Sequence, residues 1–306
     1  MSDFEKNKEA ISILENEILS LDPDSKDAKD KIRALKKLKE KTYNNLTAWD
    51  RVLIARSPER LKTKTLIENL FEGFIELHGD RYFGDDHSII SGIGYLKDMP
   101  VTILAQAKGR NIKESIDRNF GMTSPEGYRK TLRLAKEAEK FCRPIITIVD
   151  TSGAYPGKGA EERGQAEAIA RNLMEFSTIK TPIITIVLSE GGSGGALALS
   201  VCDYLYMFEN AIYSVLSPEG FSTILFKNSK TPEECANLME LTSKDLYDKG
   251  VCDEIIKEPL GGVKNPDKNY YDGLKDIFYN RIKELQKKDS NTLLDDRYNK
   301  YRNIGE

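Results

Sequence analysis

Histidine is almost missing from this chain: only His78 and His87 occur among 306 residues. Any scheme that needs an imidazole base, acid or ligand must use one of these two. Cysteine is scarce too. Cys142, Cys202, Cys235 and Cys252 lie far apart and form no CxxC pair. That excludes a zinc ribbon and argues against a disulfide framework, so buried free thiols are expected. No apolar stretch approaches the roughly 20 residues that span a bilayer. The start, MSDFEKNKEA, lacks an apolar signal core, so a cytoplasmic location is expected. Basic excess is also lacking: 46 Lys and Arg face 49 Asp and Glu, for a net charge of -3, which gives nucleic acid no footprint. What remains is a chain with 39% hydrophobic and 31% charged residues, enough for a full core and about two domain-sized units.

Residues 1–46 are charged and read as two helices. Ala10, Ile11, Ile13, Leu14, Ile18 and Leu19 recur at helical spacing, LDPDSKD breaks the run, and Ile32, Leu35, Leu38 and Leu46 follow among lysines. So polar a hairpin makes little core alone and is expected to pack on the main body or on a partner. From about Leu66 to Glu258 the pattern changes to strands at 88–96, 100–107, 144–150, 182–188 and 204–208, with helices near 125–141 and 161–178. Strand, loop, helix, strand in this order implies an α/β layered fold with crossover connections. Residues 263–306 read as an amphipathic helix, about Asp267 to Lys288, and a polar, mobile tail.

One hexapeptide occurs twice. PIITIV begins at Pro144 and again at Pro182, and each copy runs into a glycine-rich turn, DTSGAYPGKGAEE in the first and LSEGGSGGALA in the second. Parallel strands joined by a helix would bring both turns to one sheet edge. Three chemistries compete for the second turn. A phosphate cradle needs GxxxxGK[ST] or GxGxxG, and neither is present. A serine nucleophile is formally offered by Gly191-Gly192-Ser193-Gly194-Gly195, yet no histidine follows Ser193, so His78 or His87 would have to serve from upstream. The third chemistry needs backbone only: glycines allow close approach, and amides at a helix N-terminus can stabilise a developing negative charge. On that reading Gly194 and Gly195 are the donors, and Gly153 and Ala154 line the adjacent wall.

At these residues the sequence resembles the carboxyltransferase alpha subunits of bacterial acetyl-CoA carboxylase. The resemblance is carried by HGDRYFGDD (78–86), RNFGMTSPEGYRK (118–130), DTSGAYPGKGAEERGQAEAIARNL (150–173), EGGSGGALAL (190–199), YSVLSPEG (213–220) and EPLGG (258–262). Ser152 departs from it, standing where the family usually shows proline. The resemblance implies a crotonase-like (ClpP/crotonase) fold of repeated ββα units over 47–262, flanked by the N-terminal hairpin and the C-terminal helix. It implies transfer of a carboxyl group from carboxybiotin on a carrier protein to acetyl-CoA, giving malonyl-CoA for fatty acid biosynthesis. Biotin would not be attached to this chain, and no metal is expected in it. The Gly194 and Gly195 amides would receive the biotin ureido oxygen. A zinc-ribbon beta subunit would supply the thioester site in an α2β2 heterotetramer, alongside biotin carboxyl carrier protein and biotin carboxylase.

Other residues carry two readings each. Lys158 and Arg163 either hold the transferred carboxylate, with Gly191 and Gly192 also lining the substrate site, or form a solvated group with Glu161 and Glu162. Asp85-Asp86-His87 is either a metal site or a polar turn. Arg118, Arg129 and Lys130 either steer CoA phosphates or occupy an exposed helix face. The alternative function is a free-standing crotonase-type acyl-CoA hydratase or hydrolase, with Glu190 as its acid; otherwise Glu190 braces the turn.

Overall fold

A computed structural model of the chain describes residues 3–305; the extreme ends of the leader and tail, residues 1–2 and 306, lie outside the described residues. One mixed sheet organises the molecule. Its strands are β1 (Glu72–Glu76), β2 (Ile89–Leu96), β3 (Met99–Gln106), β4 (Ile145–Thr151), β5 (Ile183–Gly192), β6 (Tyr204–Phe208), β7 (Ile212–Ser214) and β8 (Glu254–Ile256). The order is β1-β2-β3-β4-β5-β6-β8, with β7 pairing the far end of β5. β1, β2 and β3 are antiparallel, and every pair from β3 onward is parallel. Strands buried on both faces read as continuous apolar runs. β4 and β5 are buried along their whole length, which is why both copies of PIITIV lack alternation. β1, β7 and β8 escape a sequence reading because they are too short, or in β1 too exposed, to show a period.

The helices begin with α1 (Asp3–Leu19), α2 (Lys26–Tyr43), α3 (Ala48–Ala55) and α4 (Thr63–Leu70). α1 and α2 form the expected hairpin, closed by an edge-to-face contact of Phe4 with Tyr43 at 6.1 Å. The hairpin sits on the body: a Cβ on Gly261 would come within 3.0 Å of the Tyr43 ring, so EPLGG is its seat. α5 (Ile112–Asp117) and α6 (Pro125–Lys140) connect β3 to β4, and α7 (Lys158–Glu162) and α8 (Gln165–Thr178) connect β4 to β5. The single helix expected at 161–178 is thus two, broken at Gly164, whose φ of 83° is left-handed. α9 (Ser193–Leu197) follows β5 directly, and α10 (Pro218–Phe226), α11 (Pro232–Met239) and α12 (Ser243–Asp248) pack beyond β7.

α13 (Lys268–Leu285) is the amphipathic helix read from the sequence, but the segment after it is not a mobile tail. α14 (Ser290–Arg302) docks through Arg297, only 1% exposed. Its guanidinium donates to Asp203, to the carbonyls of Phe176 and Ile179 at 2.8 and 2.7 Å, and to Thr181 O at 3.3 Å. Sequence polarity misleads here because the charge is spent inside, on carbonyls left over at the end of α8. The thiol expectation holds for Cys202, Cys235 and Cys252, which are buried, and fails for Cys142, which is exposed in the left-handed turn after α6.

Candidate active site

The duplicated hexapeptide fixes the site. Along β4 and β5 each residue faces its own copy: Ile145 pairs with Ile183, Ile146 with Ile184, Thr147 with Thr185, Ile148 with Ile186 and Val149 with Val187. Past a bulge in β5, Thr151 pairs with Gly191, and the two glycine turns meet at one edge of the sheet. The contact is close enough to demand glycine. A Cβ on Gly192 would lie 2.1 Å from Ser152 O, and one on Gly195 would lie 2.4 Å from Ala154 N and 2.6 Å from Gly153 C. Gly191 is pressed on the Tyr213 ring, where a Cβ would sit at 2.2 Å. Gly194 differs: its Cβ would meet nothing nearer than Ile169 at 3.6 Å, so its space opens outward. Thr151 fastens the opposite wall, accepting the Gly153 N–H at 3.1 Å.

β5 turns into α9 at Ser193, whose φ of 55° is left-handed and whose side chain is exposed. Helix geometry leaves the first-turn amides, those of Ser193, Gly194 and Gly195, without intrahelical acceptors. Gly192, the N-cap, offers no side chain to take them. The strand-to-helix turn therefore has the shape of a nucleophile elbow but not its partners. His78 Nδ1 lies 3.0 Å from Asp85, and His87 Nδ1 lies 2.9 Å from Asp117; among the described residues neither histidine bonds Ser193.

Beneath the turn lies a charged network in which Glu190 is the brace read from the sequence, with partners, Arg56, Lys108 and Asp150, that the sequence reading missed. Glu190, 7% exposed, accepts from Arg56 Nε at 2.9 Å and from Lys108 Nζ at 2.8 Å, and Lys108 also stands 3.4 Å from Asp150. Arg56 continues to Glu219 on α10 at 2.7 Å. Burial pushes the Glu190 carboxyl up, but Lys108 and Arg56 outweigh it and hold the group below its ordinary value. Burial likewise lowers Lys108, and Asp150 and Glu190 together carry it above its ordinary value. Glu190 is thus an ionised brace and is not poised to give up a proton. The sequence signal for this network was an acidic residue near the end of each of two apolar strands, Asp150 and Glu190.

The remaining candidates separate. Lys158 opens α7 with its side chain 90% exposed and Glu162 beside it at 3.3 Å. Arg163 ends α7 and is held by Glu126 at 2.5 Å, over the Phe83 ring. Arg129 and Lys130 do not occupy an exposed face. Lys130 is buried and donates to Asp85 at 2.6 Å and to the carbonyls of Asp86 and Ile89; Arg129 donates to Asp80 at 2.9 Å. Arg118 donates to His87 O. HGDRYFGDD is therefore a folded turn pinned to α6. Asp80 Oδ1 accepts three amides (Tyr82, Phe83, Gly84), and Asp86 accepts those of Ser88 and Ser124.

Beside the glycine turn a cavity of about 660 Å³ opens, floored by Ser193, Gly194 and Leu197 and walled by Tyr213, Val215, Leu216, Phe221, Leu238, Met239, Leu246 and Val251. Its lining is chiefly apolar, of the kind that takes a ring or a chain and leaves polar atoms to the backbone.

The family description "Acetyl co-enzyme A carboxylase carboxyltransferase-like" matches residues 1–305. The chain belongs to this family. Among its relatives, the acetyl-coenzyme A carboxylase carboxyl transferase subunit alpha of Staphylococcus haemolyticus is 49% identical over all of this chain and 98% of its own length. The subunit of the same name from Clostridium botulinum is 55% identical over 84% of this chain and 94% of its own. Among solved structures, transcarboxylase 12S with hydrolysed methylmalonyl-coenzyme A superposes with a TM-score of 0.56 at 20% identity over 71% of this chain; this chain spans 42% of that one. A Pseudomonas malonate decarboxylase hetero-tetramer in complex with coenzyme A gives a TM-score of 0.55 at 17% identity, over 66% of this chain and 81% of that one. These likenesses show the fold, which is the crotonase-like α/β arrangement expected from the sequence. The carboxyltransferase family is biotin-dependent, and an alpha subunit implies a beta subunit.

Proposed function

We propose that this chain is the alpha half of an acetyl-CoA carboxylase carboxyltransferase, moving a carboxyl group from carboxybiotin on a carrier protein to acetyl-CoA to give malonyl-CoA. The observation that carries the reading is the contact of the two glycine turns at the end of the β4/β5 pair, where helix geometry leaves the first-turn amides of Gly194 and Gly195 without intrahelical acceptors. The site suits a ureido group in its donor set: it offers N–H donors where a carbonyl oxygen gains charge, an outward-opening Cα at Gly194, and an apolar cavity alongside for a ring. Bound carboxybiotin supplies an activated carboxyl group and, once that group is lost, a basic nitrogen for the acetyl proton.

This chain's own part is electrostatic. Gly194 and Gly195 hold two donors at fixed positions, worth about 3–4 kcal/mol each where charge develops. Gly153 and Ala154 form the facing wall, and Gly191 and Gly192, both buried against Tyr213 and Ser152 O, let the two turns close behind it. Lys158, exposed and barely tethered, is free to reach an incoming carboxylate, whereas Arg163 is already committed to Glu126. No residue of this chain is needed as a proton acceptor, in keeping with both histidines being engaged elsewhere. A hydratase reading fares worse, because its acid, Glu190, is locked between two cations.

The thioester site, on this proposal, belongs to a zinc-ribbon beta subunit, in an α2β2 assembly served by biotin carboxyl carrier protein and biotin carboxylase. Mixing the chain with the beta subunit, carrier-borne carboxybiotin and acetyl-CoA should give malonyl-CoA only when both subunits are present. Sedimentation should show the larger species under the same conditions. Full activity from the isolated chain would refute the shared site.

A further inference from the structure

Gln106 is the last residue of β3 and is fully buried. Its Nε2 donates to the carbonyl oxygen of Gly195 at 2.7 Å. That carbonyl sits where α9 ends too soon to serve it: the Ala198 amide goes to Gly194 O at 3.0 Å and the Leu199 amide to Ala196 O at 3.1 Å, so the backbone passes over Gly195 O. The side chain of a neighbouring strand fills the gap. The other half of the same amide is left without a partner, since Oε1 of Gln106 is buried and bonds nothing among the described residues. An unpaired buried acceptor costs roughly 1–3 kcal/mol, and proteins keep such groups where function calls for the other half of the side chain.

We propose that Gln106 is a positioning residue for the reaction: by holding Gly195 O it fixes the short segment that carries the Gly194 and Gly195 amides, and so sets their aim. The inference rests on the amide reading given above. Three features support it. α9 has only five residues and no side-chain cap, so its own hydrogen bonds hold its orientation weakly. Ser193 at its start is in the left-handed region, a conformation that surrounding contacts must impose. And Gln106 belongs to a different strand from either glycine turn, so it references the amides to the sheet and not only to their own turn.

The test uses the full chain assembled with its beta partner, with turnover measured at varied acetyl-CoA and varied carrier. Gln106→Leu keeps the volume, removes the unpaired Oε1 and removes the bond. The expected result is a kcat at least about tenfold lower, as for loss or misplacement of an oxyanion donor, with both KM values within about twofold. Thermal midpoint and assembly should stay close to the parent. Gln106→Glu turns an acceptor toward Gly195 O and should lower kcat at least as far. An assembled Leu variant with parental kcat overturns the proposal, as does a kcat that falls only in proportion to lost folded protein, or failure of both variants to fold. Gly195→Ala separates the underlying reading: if that variant assembles and keeps its kcat, the amide hole is wrong; if it loses kcat while Gln106→Leu does not, only the role of Gln106 falls.

Discussion

Gly195 and Ser193 stand two residues apart and answer to different constraints. A Cβ at 195 has nowhere to go, because the Gly153–Ala154 peptide occupies the space. Gly195→Val should therefore push the facing wall away and misplace the amides, lowering turnover by about 10²-fold or more. Ser193 is exposed and bonds no histidine, so Ser193→Ala should stay within about tenfold, the hydroxyl being no nucleophile. Steady-state malonyl-CoA formation by the two assembled variants decides between backbone and hydroxyl chemistry: the reverse ranking would establish a serine enzyme. That the two glycine turns belong together was legible from the sequence, since glycine at both strand ends has no packing explanation within one strand. What was not legible is why each one is glycine. The contact partners of Gly192 and Gly195 lie some 40 positions upstream, and only strand pairing brings them near.

Elements show where polarity and helical period inform and where they do not. β2 to β6, α6 and α13 were readable because apolar runs and amphipathic stripes are long there. α14 was not, because the residue that fastens it is an arginine. Arg297 and Asp203 are 1% and 3% exposed in their side chains, so removing one leaves the other buried and unpaired. Arg297→Met should destabilise the chain by about 3–5 kcal/mol, read as a lowered urea midpoint, while an exposed cation such as Lys158 can be replaced at little cost. The polar turn read at Asp85-Asp86-His87 is there, but the exposed face read for Arg129 and Lys130 is not, because a buried lysine beneath that turn cannot be told from a solvated one by sequence. That turn gives a pH dependence with a definite sign. Although burial opposes it, bonds from Lys130 and from the Gly79 amide hold the Asp85 carboxyl well below its ordinary value. A depressed carboxylate contributes stability in full above the unfolded-state value near 4 and loses it as pH falls through the folded-state value. Asp86, which burial pushes up, has the opposite sign. Denaturant midpoints taken from pH 7 downward should fall below about pH 4, and Lys130→Met should flatten the part owed to Asp85.

Across the whole molecule the thiols report on integrity. Cys142 is exposed while Cys202, Cys235 and Cys252 are buried, and burial pushes the Cys252 thiol up to about 11. A thiolate reagent at neutral pH should modify one cysteine quickly and the other three only on unfolding, countable by intact mass; rapid modification of a second thiol in native protein would contradict the packing.

The matched strands at the centre carry a cost of their own. Because β4 and β5 present the same side chains rung by rung, hydrocarbon alone gives the folding chain little to tell the right alignment from one displaced along the strand. The exception is Thr147, whose hydroxyl meets that of Thr185 at 2.7 Å deep in the sheet. A displacement by two residues keeps every side chain on its proper face, yet it parts these hydroxyls and sets that of Thr147 against hydrocarbon, at roughly 1–3 kcal/mol, while Thr185 keeps the Leu199 carbonyl at 3.3 Å. It would also carry one glycine turn about 7 Å past the other. The threonine pair thus serves as a proofreader, and errors it failed to reject would yield protein that is compact, soluble and catalytically silent.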